Sequence, residues 1–372
     1  MPSYEELRIL QALPLEVKIL KSKERIREFY QRFDGKVYVS FSAGKDSLVV
    51  ADLVHSMYPE VPLVFANTGL EFPESQKFAK EMGAEFIYPE KKFPEIIKLY
   101  GYPIISKEIS EAIMYARRII NGSKVYKHNK VTYNKRRELL GERCFNSDNK
   151  GDKASSRFNK VKWLLAAQET DFLIGSHCCF YMKKSIFGRY HRNRNLYQIV
   201  GTVAEESIMR TSAWLKSGCN VYEGKYISSR PISFWREQDV LEYIYEHKLV
   251  MNPVYGDITV NKSKDLTDYS LSQHKRTGCI YCGYGMHMTP ANCQTKFQML
   301  AKTHPRQYEY CLKGGQWIDN PHYDPTAPKM DGAWKNWNPK KIWVPSKEGI
   351  GLKKVFDDMN AIYGEKFYRY EE

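Results

Sequence analysis

Hydrophobic positions recur every three or four residues through the first 35 positions of the chain, with charged residues between them. This spacing is typical of amphipathic helix, and it predicts a mostly helical N-terminal segment. A proline inside such a pattern ends or kinks the helix, so we expect a break at Pro14. The recurring apolar positions are Leu7, Leu10, Leu13, Val17 and Leu20.

From residue 37 the pattern changes to short β-favouring runs that alternate with helix-like stretches. The predicted strands are Val37–Phe41, Leu63–Phe65, Phe86–Tyr88 and Leu196–Val200. The predicted helices are Leu48–Met57, Pro73–Met82 and Phe234–His247. This alternation predicts an α/β fold, a parallel sheet with helices on both faces. Ligands of such sheets bind beyond the carboxyl ends of the strands.

Changes in composition divide the chain into three predicted parts. Residues 1–35 form the N-terminal helical segment, and residues 36–265 form a nucleotide-binding domain. Residues 266–372 are rich in Cys, Gly, Pro and Trp, and they predict a small C-terminal lobe with short elements. A strongly basic stretch at about 115–162 interrupts the second part and reads as a helical insertion.

The charge balance points to an anionic partner. The chain carries 57 Lys and Arg against 43 Asp and Glu, which gives a net charge of +14 and a pI near 9.2. No run approaches the roughly 18 apolar residues of a membrane-spanning helix, and the first residues lack the apolar stretch of a secretory signal. We therefore expect a cytoplasmic protein that binds no membrane. In that compartment eight Cys favour a metal, cluster or redox role over disulfides.

The basic segment 115–162 holds fourteen Lys and Arg with Tyr residues among them. Such cations neutralise phosphates, and the interleaved rings can stack on bases. The segment therefore predicts a surface that tracks DNA or RNA. A solvated helical face is the alternative that composition leaves open.

A turn of small residues, Ser42-Ala43-Gly44-Lys45-Asp46-Ser47, lies between the first predicted strand and its helix. Backbone N–H groups and the helix dipole favour an anion at such a turn. The Walker pattern fails, because Val39 stands at its first Gly and Asp46 follows Gly44-Lys45. The turn instead resembles the S-G-G-x-D-S pyrophosphate loop (PP-loop) of the N-type ATP pyrophosphatases, from which it departs at Ala43.

This resemblance gives the loop residues their expected roles. The Ser42 and Ser47 hydroxyls and the N–H groups would hold the β- and γ-phosphates. Lys45 would add positive charge, and Asp46 would help position Mg²⁺. Lys45 and Asp46 are thus the predicted catalytic residues.

The next turn, Phe65 to Glu74, resembles the D-T-G-x-x-F-P-E segment of superfamily members that handle adenylyl sulfate, with Asn67 in place of Asp. The resemblance places this turn beside adenine and ribose. The predicted nucleotide-binding residues are Ser40, Ser42, Gly44, Lys45, Asp46, Ser47, Asn67, Thr68, Gly69, Gly201 and Arg210.

The cysteines form a pair-plus-pair pattern. Cys178-Cys179 precedes Cys279-x-x-Cys282 by 99 residues. Four thiolates can hold zinc or a 4Fe–4S cluster, and adjacent cysteines suit tetrahedral zinc poorly. Cys144 and Cys293 are alternative ligands.

Further segments resemble the phosphoadenylyl-sulfate (PAPS) reductase family, most closely its cluster-containing adenylyl-sulfate (APS) reductases. Ile199 to Arg210 is similar to their strand and G-x-R-x-x-Q-S-x-x-R turn, with Val203 for Arg and Glu206 for Gln. The other similar segments are Arg230–Ile244, Asn252–Asp257 and Thr277–Cys282. The resemblance implies an adenine nucleotide alpha hydrolase-like fold and a 4Fe–4S cluster on Cys178, Cys179, Cys279 and Cys282.

Two departures from the reductases bear on the chemistry. Reductases attack sulfur with a Cys in a C-terminal E-C-G-L-H tail, whereas the last Cys here is Cys311. Cys311 or Cys293 would have to take that role. Conversely, Lys45-Asp46-Ser47 is intact, which suits cleavage of ATP between its α- and β-phosphates.

The leading hypothesis is therefore a Mg²⁺- and ATP-dependent pyrophosphatase with a 4Fe–4S cluster that serves sulfur transfer. In this it resembles the ATPase of DNA phosphorothioation systems and the cluster-dependent tRNA thiolases. Nucleic acid would be the acceptor, and a cysteine desulfurase could donate the sulfur. One alternative is a PAPS or APS reductase that yields sulfite. Another is a nucleotide- and nucleic-acid-binding module without turnover.

Overall fold

The computed structural model describes residues 2–120, 170–224, 226–263, 267–326, 339–364 and 366–372, with the backbone alone at 112 and 115–120. Most of the predicted basic insertion, residues 121–162, and Cys144 lie outside the described residues. Within them, no helix has the length and apolar character needed to cross a membrane.

The described strands and helices alternate along much of the chain. The strands are β1 (Val37–Ser40), β2 (Leu63–Ala66), β3 (Glu85–Ile87), β4 (Ile104–Ile105), β5 (Tyr197–Val200), β6 (Asn220–Val221), β7 (Ser228–Ser229), β8 (Ile258–Lys262), β9 (Thr267–Leu271), β10 (Gly283–Tyr284), β11 (Gln316–Asp319) and β12 (Lys341–Val344). The α-helices are α1 (Tyr4–Gln11), α2 (Leu15–Arg32), α3 (Lys45–His55), α4 (Pro73–Glu81), α5 (Phe93–Tyr100), α6 (Lys107–Ile120), α7 (Ser185–Arg194), α8 (Ile208–Ser217), α9 (Glu237–Glu246), α10 (Lys296–Thr303), α11 (Pro305–Leu312) and α12 (Leu352–Tyr363).

The chain divides into two compact units, each built from two stretches. The first unit comprises Met1–Glu90 and Lys183–Ile280, and the second comprises Lys91–Met182 and Tyr281–Glu372. The three consecutive parts expected from composition stay a prediction.

The first unit is built on a six-stranded sheet with the order β3-β2-β1-β5-β7-β6. Its strands are parallel except for β6, which runs antiparallel to β7. Val39 of β1 lies opposite Leu63 on one side and Ile199 on the other. The predicted parallel sheet is therefore confirmed.

Alternation along β1 shows why helices cover both faces of this sheet. Val37 and Val39 belong to the large core that also contains α2, α3 and α9 side chains. The intervening Tyr38 packs with Val64 and with Tyr190 of α7. Successive strand residues point to opposite faces, so a strand that is buried throughout must be covered on both. The predicted two-faced arrangement is confirmed.

The strand order reverses at β1. From β1 the chain crosses to β2 on one side, while β5 pairs with β1 on the other side. The connections after β1 and β5 therefore diverge from adjacent strand ends, which opens a crevice at the carboxyl edge. Both the Ser42–Ser47 loop and Gly201 lie at this edge.

The second unit contains smaller sheets. Strand β4 pairs in parallel with β10, and β11 pairs antiparallel with β12. The Tyr102 hydroxyl donates to the Ile350 carbonyl oxygen at 2.7 Å and so joins distant parts of this unit. Phe356 and Tyr368 stack with their ring centroids 4.7 Å apart.

The N-terminal helices belong to the core of the first unit. Helix α1 ends at Gln11 and α2 begins at Leu15, so the predicted break at Pro14 is confirmed. In α2 the Lys18 ammonium donates to both carboxylate oxygens of Asp239 at 2.7 and 2.6 Å. The Lys18 side chain is 2% exposed, so this ion pair is buried. It joins the N-terminal segment to the start of α9.

Removing one partner of a buried ion pair leaves the other charge without compensation. We expect Lys18→Met to lower the free energy of unfolding by roughly 3 kcal/mol, measured by urea denaturation. The matched control is Lys23→Met, at a partly exposed position of the same helix. Equal stabilities of the two variants would contradict a structural role for the pair.

Candidate functional site

The Ser42–Ser47 loop leaves β1 and closes on the Ser47 hydroxyl. That oxygen accepts from the Ser42 N–H at 3.1 Å and the Gly44 N–H at 3.2 Å, and it donates to the Gly44 carbonyl oxygen at 2.8 Å. The Ser42 hydroxyl lies 3.1 Å from it. Ser47 therefore fixes the loop conformation from within.

Helix α3 begins inside this loop, at Lys45, three residues before the helix start expected from apolar residues alone. The first N–H groups of a helix have no acceptor within the helix, and the dipole makes that end positive. The segment from Gly44 to Ser47 thus combines a tight turn with the positive end of an 11-residue helix.

The turn contains a non-glycine residue in the left-handed region, since Ala43 has φ +57°. The Ala43 carbonyl oxygen accepts from Asn252 Nδ2 at 2.9 Å, and the same amide donates to Ser75 Oγ at 2.8 Å. Asn252 is 1% exposed. A buried amide from a distant segment therefore holds the strained turn in place.

The loop cation, Lys45, is 5% exposed and lies between two carboxylates. Its ammonium is 3.4 Å from Asp46 Oδ1 and 3.3 Å from Glu237 Oε1. Burial alone would lower the pKa of Lys45, but the charges of Asp46 and Glu237 and the neighbouring Tyr255 outweigh it, so the pKa is raised. Lys45 stays charged at neutral pH.

Tyr255 supports the start of α3. Its hydroxyl accepts from the Lys45 N–H at 3.1 Å and lies 3.2 Å from the Thr277 hydroxyl. Burial raises the pKa of Tyr255, although the Thr277 hydrogen bond and Lys45 oppose the shift. The phenol therefore remains protonated and serves as a fixed hydrogen-bonding group.

The strand end after β5 approaches the loop closely. A Cβ placed on Gly201 would lie 2.5 Å from the Asp46 carbonyl oxygen and 2.7 Å from the Ser47 nitrogen. No side chain fits that space, so only glycine permits the two connections to meet. Gly201 therefore contributes by close backbone approach.

Arg210, in the first turn of α8, belongs to the same region. It pairs with Glu206, whose other carboxylate oxygen lies 3.4 Å from Arg276 Nη1. Burial lowers the pKa of Arg210 and the Arg276 charge adds to this, whereas the Asp46 carboxylate opposes it. The Arg210 guanidinium is thus within electrostatic reach of the loop.

The turn after β2 is closed by a buried carboxylate. Glu71, 5% exposed, accepts from the Thr68 N–H at 3.0 Å and the Thr68 hydroxyl at 2.8 Å. Asn67 Oδ1 accepts from the Gly69 N–H at 3.1 Å. Lys183 Nζ lies 3.7 Å from Glu71. The hydroxyl of Thr68 thus fixes the conformation of its own turn.

The predicted nucleotide-binding residue Ser40 lies in strand β1, where it pairs with β2, and its side chain is half-buried.

The predicted metal-ligating cysteines fall in both units. Cys178, Cys179 and Cys282 belong to the second unit and Cys279 to the first. Burial raises the pKa of Tyr284, and the charges of Cys178, Cys282 and Cys179 raise it further. Cys178 Sγ and Cys179 Sγ are 4.0 Å apart. Nowhere in the described ranges do three His, Cys, Asp or Glu side chains stand in an arrangement that could hold a metal ion.

The two cysteines considered as nucleophiles differ in exposure. Cys311 is fully buried, and that burial raises the pKa of its thiol well above the ordinary value. Cys293 is exposed. Since the thiolate is the reactive form, Cys311 is unsuited to attack a substrate in this conformation.

Sequence reasoning missed the groups that hold the loop in place. Asn252, Tyr255 and Thr277 lie in segments that resembled the reductases, but the pattern gave them no role. Glu237 and Glu71 carried no signal beyond their charge. Asn252, Tyr255 and Glu237 act through contacts with residues that are distant in sequence, which no local pattern contains, whereas Glu71 bonds to Thr68 three residues away.

The loop brings together groups of opposite charge. The positive end of α3 and the Lys45 ammonium lie in the same short segment as the Asp46 carboxylate. This combination can bind a phosphate chain together with a divalent cation.

The family described as "Phosphoadenosine phosphosulfate reductase domain" matches residues 36–283, more than half of the chain. A phosphoadenosine 5'-phosphosulfate reductase of Vibrio parahaemolyticus is 30% identical over 78 residues, which cover 21% of this chain and 30% of that protein. An uncharacterised protein of Methanocaldococcus jannaschii is 36% identical over 84 residues, 21% of this chain and 18% of that protein.

The chain thus spans less than a third of the length of these two curated relatives. Among solved structures, the phosphoadenylyl-sulfate reductase of Candida auris in its phosphate complex is 15% identical. The match covers 68% of this chain and 91% of the Candida auris chain, with a TM-score of 0.33.

The close approach at Gly201 can be tested by stability alone. We expect Gly201→Ala to lower the free energy of unfolding by about 2 kcal/mol, because a methyl group would overlap the loop backbone. Gly188→Ala in α7 is the control, since its Cβ would meet only Arg192 Nη1 at 3.6 Å. An unfolding temperature of Gly201→Ala equal to or higher than that of Gly188→Ala would contradict the packing described.

Proposed function

The chain belongs to the phosphoadenosine phosphosulfate reductase family, and from this premise we propose that it is an enzyme that cleaves Mg²⁺-bound ATP between the α- and β-phosphates. The proposal depends on the Ser42–Ser47 loop, which combines a helix N-terminus, a buried Lys45 and the Asp46 carboxylate. The loop lies at the edge of the sheet where the connections after β1 and β5 diverge.

The loop supports a phosphate chain rather than a single anion. The Ser42 hydroxyl, the positive end of α3 and the Lys45 ammonium lie along one continuous segment, whose conformation is held from within by Ser47 and from outside by Tyr255. Lys45 keeps its positive charge because Asp46 and Glu237 raise its pKa. Several donors in sequence suit the β- and γ-phosphates of a nucleotide.

The loop also fits magnesium. Mg²⁺ is commonly bound by one or two carboxylates together with substrate phosphates and water, and Asp46 provides a partly exposed carboxylate there. When bound, the ion would neutralise charge on the departing pyrophosphate. Lys45 would hold the same leaving group from its buried position.

The proposed reaction forms an adenylylated acceptor. An acceptor oxygen attacks the α-phosphorus, the bond from that phosphorus to the bridging oxygen of the β-phosphate breaks, and pyrophosphate leaves with the electron pair. A sulfur nucleophile then displaces AMP from the acceptor. The loop's part is to bind and orient the pyrophosphate and to stabilise its developing charge.

Reduction of a sulfonucleotide is the second candidate. What favours it is that curated relatives matching about a fifth of the chain are phosphoadenosine 5'-phosphosulfate reductases. In that case the loop would hold a phosphate or sulfate of PAPS or APS, and the product would be sulfite.

One assay separates these candidates. Purified protein with α-labelled ATP and Mg²⁺ should release AMP and pyrophosphate when an acceptor is supplied, and Asp46→Asn should reduce that turnover at least about 100-fold. Asp257→Asn, a carboxylate outside the loop, is the charge-matched control. Sulfite release from PAPS with thioredoxin, without ATP cleavage, would assign the second candidate instead.

We further propose that the cysteines hold an iron–sulfur cluster. Support comes from the adjacent pair Cys178 and Cys179, whose sulfurs are 4.0 Å apart and which suits a cluster better than tetrahedral zinc. The charges of Cys178, Cys179 and Cys282 also act on one phenol, that of Tyr284, whose pKa they raise. The fourth ligand expected from sequence is Cys279, three residues before Cys282 along the chain. When bound, a 4Fe–4S cluster supplies a one-electron redox centre.

Anaerobic purification tests this assignment. Protein with a cluster should show broad visible absorbance and contain iron and sulfide in equal amounts. Cys178→Ser and Cys282→Ser should abolish both, while Cys219→Ser, in the first unit, should retain them. Zinc without sulfide, or no loss in the two ligand variants, would overturn the proposal.

For the acceptor we propose nucleic acid. The net charge of +14 and the fourteen cations at 115–162 support a polyanionic partner. A cysteine desulfurase is the proposed class of sulfur donor.

A further inference from the structure

Six charged side chains of the first unit surround the start of α3, and we call them the loop charge cluster. Its members are Lys45, Asp46, Glu206, Arg210, Glu237 and Arg276. Three are cations and three are carboxylates, so the cluster is neutral as a whole. A neutral cluster is unusual for a site that is to receive an anion.

Lys45 and the two arginines pair with different carboxylates. Lys45 is paired with Asp46 and Glu237, the latter 50% exposed. The arginines share Glu206: one of its oxygens contacts Arg210 and the other lies 3.4 Å from Arg276. Glu206 is 16% exposed, so its charge is poorly hydrated and acts strongly on both neighbours.

This arginine pair lies close enough to the loop to affect a ligand there. Gly201, five residues before Glu206, meets the backbone of Asp46 and Ser47. The Asp46 carboxylate in turn acts on Arg210. The charges of Arg210, Arg276 and the Glu206 carboxylate between them would therefore act on an anion bound at the loop.

The net charge of the loop charge cluster then determines whether the metal-free or the metal-bound form of a phosphate ligand binds. Inorganic pyrophosphate or ATP without metal carries several negative charges, and adding them to a neutral cluster leaves a large net negative charge at a partly buried site. A bound divalent cation cancels much of that charge. Without Glu206 the same cluster would carry a net positive charge and would tolerate the free anion.

We propose that Glu206 is a specificity-determining residue of the nucleotide site: by offsetting part of the positive charge of Arg210 and Arg276 it makes the site select magnesium-bound phosphates over the metal-free anions. This rests on the proposed function in one respect, the placement of the phosphates at Ser42–Ser47. The ligand class is a di- or triphosphate complexed with a divalent cation.

Binding of inorganic pyrophosphate by titration calorimetry, with Mg²⁺ or with EDTA, tests the proposal without turnover. Glu206→Gln keeps the size and hydrogen-bonding oxygen of the side chain and removes its charge. We expect it to tighten metal-free pyrophosphate about tenfold, equivalent to about 1.4 kcal/mol, and the magnesium complex by no more than about twofold. The charge-matched control Glu223→Gln, at an exposed position outside the cluster, should leave both affinities unchanged.

Arg276→Gln provides a second, opposite test at a side chain that is 63% exposed and tolerant of change. It should weaken the binding of metal-free pyrophosphate several-fold, because the loop charge cluster would then hold two cations against three carboxylates and carry a net negative charge. An unchanged ratio of the two affinities in Glu206→Gln, an equal gain in Glu223→Gln, or no loss in Arg276→Gln would overturn the inference. If the natural sequence binds pyrophosphate in neither form, the proposed function fails instead.

Discussion

The candidate site depends on one close contact, the approach of the Gly201 backbone to the first turn of α3. Because β1 and β5 are adjacent and parallel, the connections that leave their carboxyl ends start side by side. Because Gly201 has no side chain, the two connections can touch; a Cβ at Gly201 would lie only 2.5 Å from the Asp46 carbonyl oxygen. This contact sets the distance between the loop and the segment that carries Glu206 and Arg210. The electrostatics of the site follow from that spacing.

The sequence predicted the sheet well, because strands with buried faces and small-residue turns leave a local signal. The expected strands near residues 37, 63, 86 and 196 occur within about a residue of their predicted starts. The start of α3 was set three residues late, since Lys45 and Asp46 look like loop residues until their helix is seen. Support from Asn252 and Tyr255 could not be predicted, because each acts on the loop from more than 200 residues away. Glu206 and Arg210 are four residues apart, a spacing that can be read locally, whereas the contact of Glu206 with Arg276 could not be predicted from the sequence.

The cysteines show the same limit in another form. Their spacing predicted four ligands of one cluster, and this stays a prediction. Cys178, Cys179 and Cys282 belong to the second unit and Cys279 to the first. Exposure also separates residues that spacing could not: Cys311 is buried with a raised pKa, and Cys293 is exposed. Thiol chemistry in this chain is therefore decided by burial, which sequence spacing does not report.

The proposed function requires that the Ser42–Ser47 segment bind the phosphates of a magnesium-bound nucleotide. A crystal structure with Mg²⁺ and a non-hydrolysable α,β-methylene analogue of ATP tests this requirement. We expect β- and γ-phosphate oxygens to accept hydrogen bonds from this segment, with the metal ion against Asp46. An analogue bound away from β1, with no contact to these residues, would contradict it.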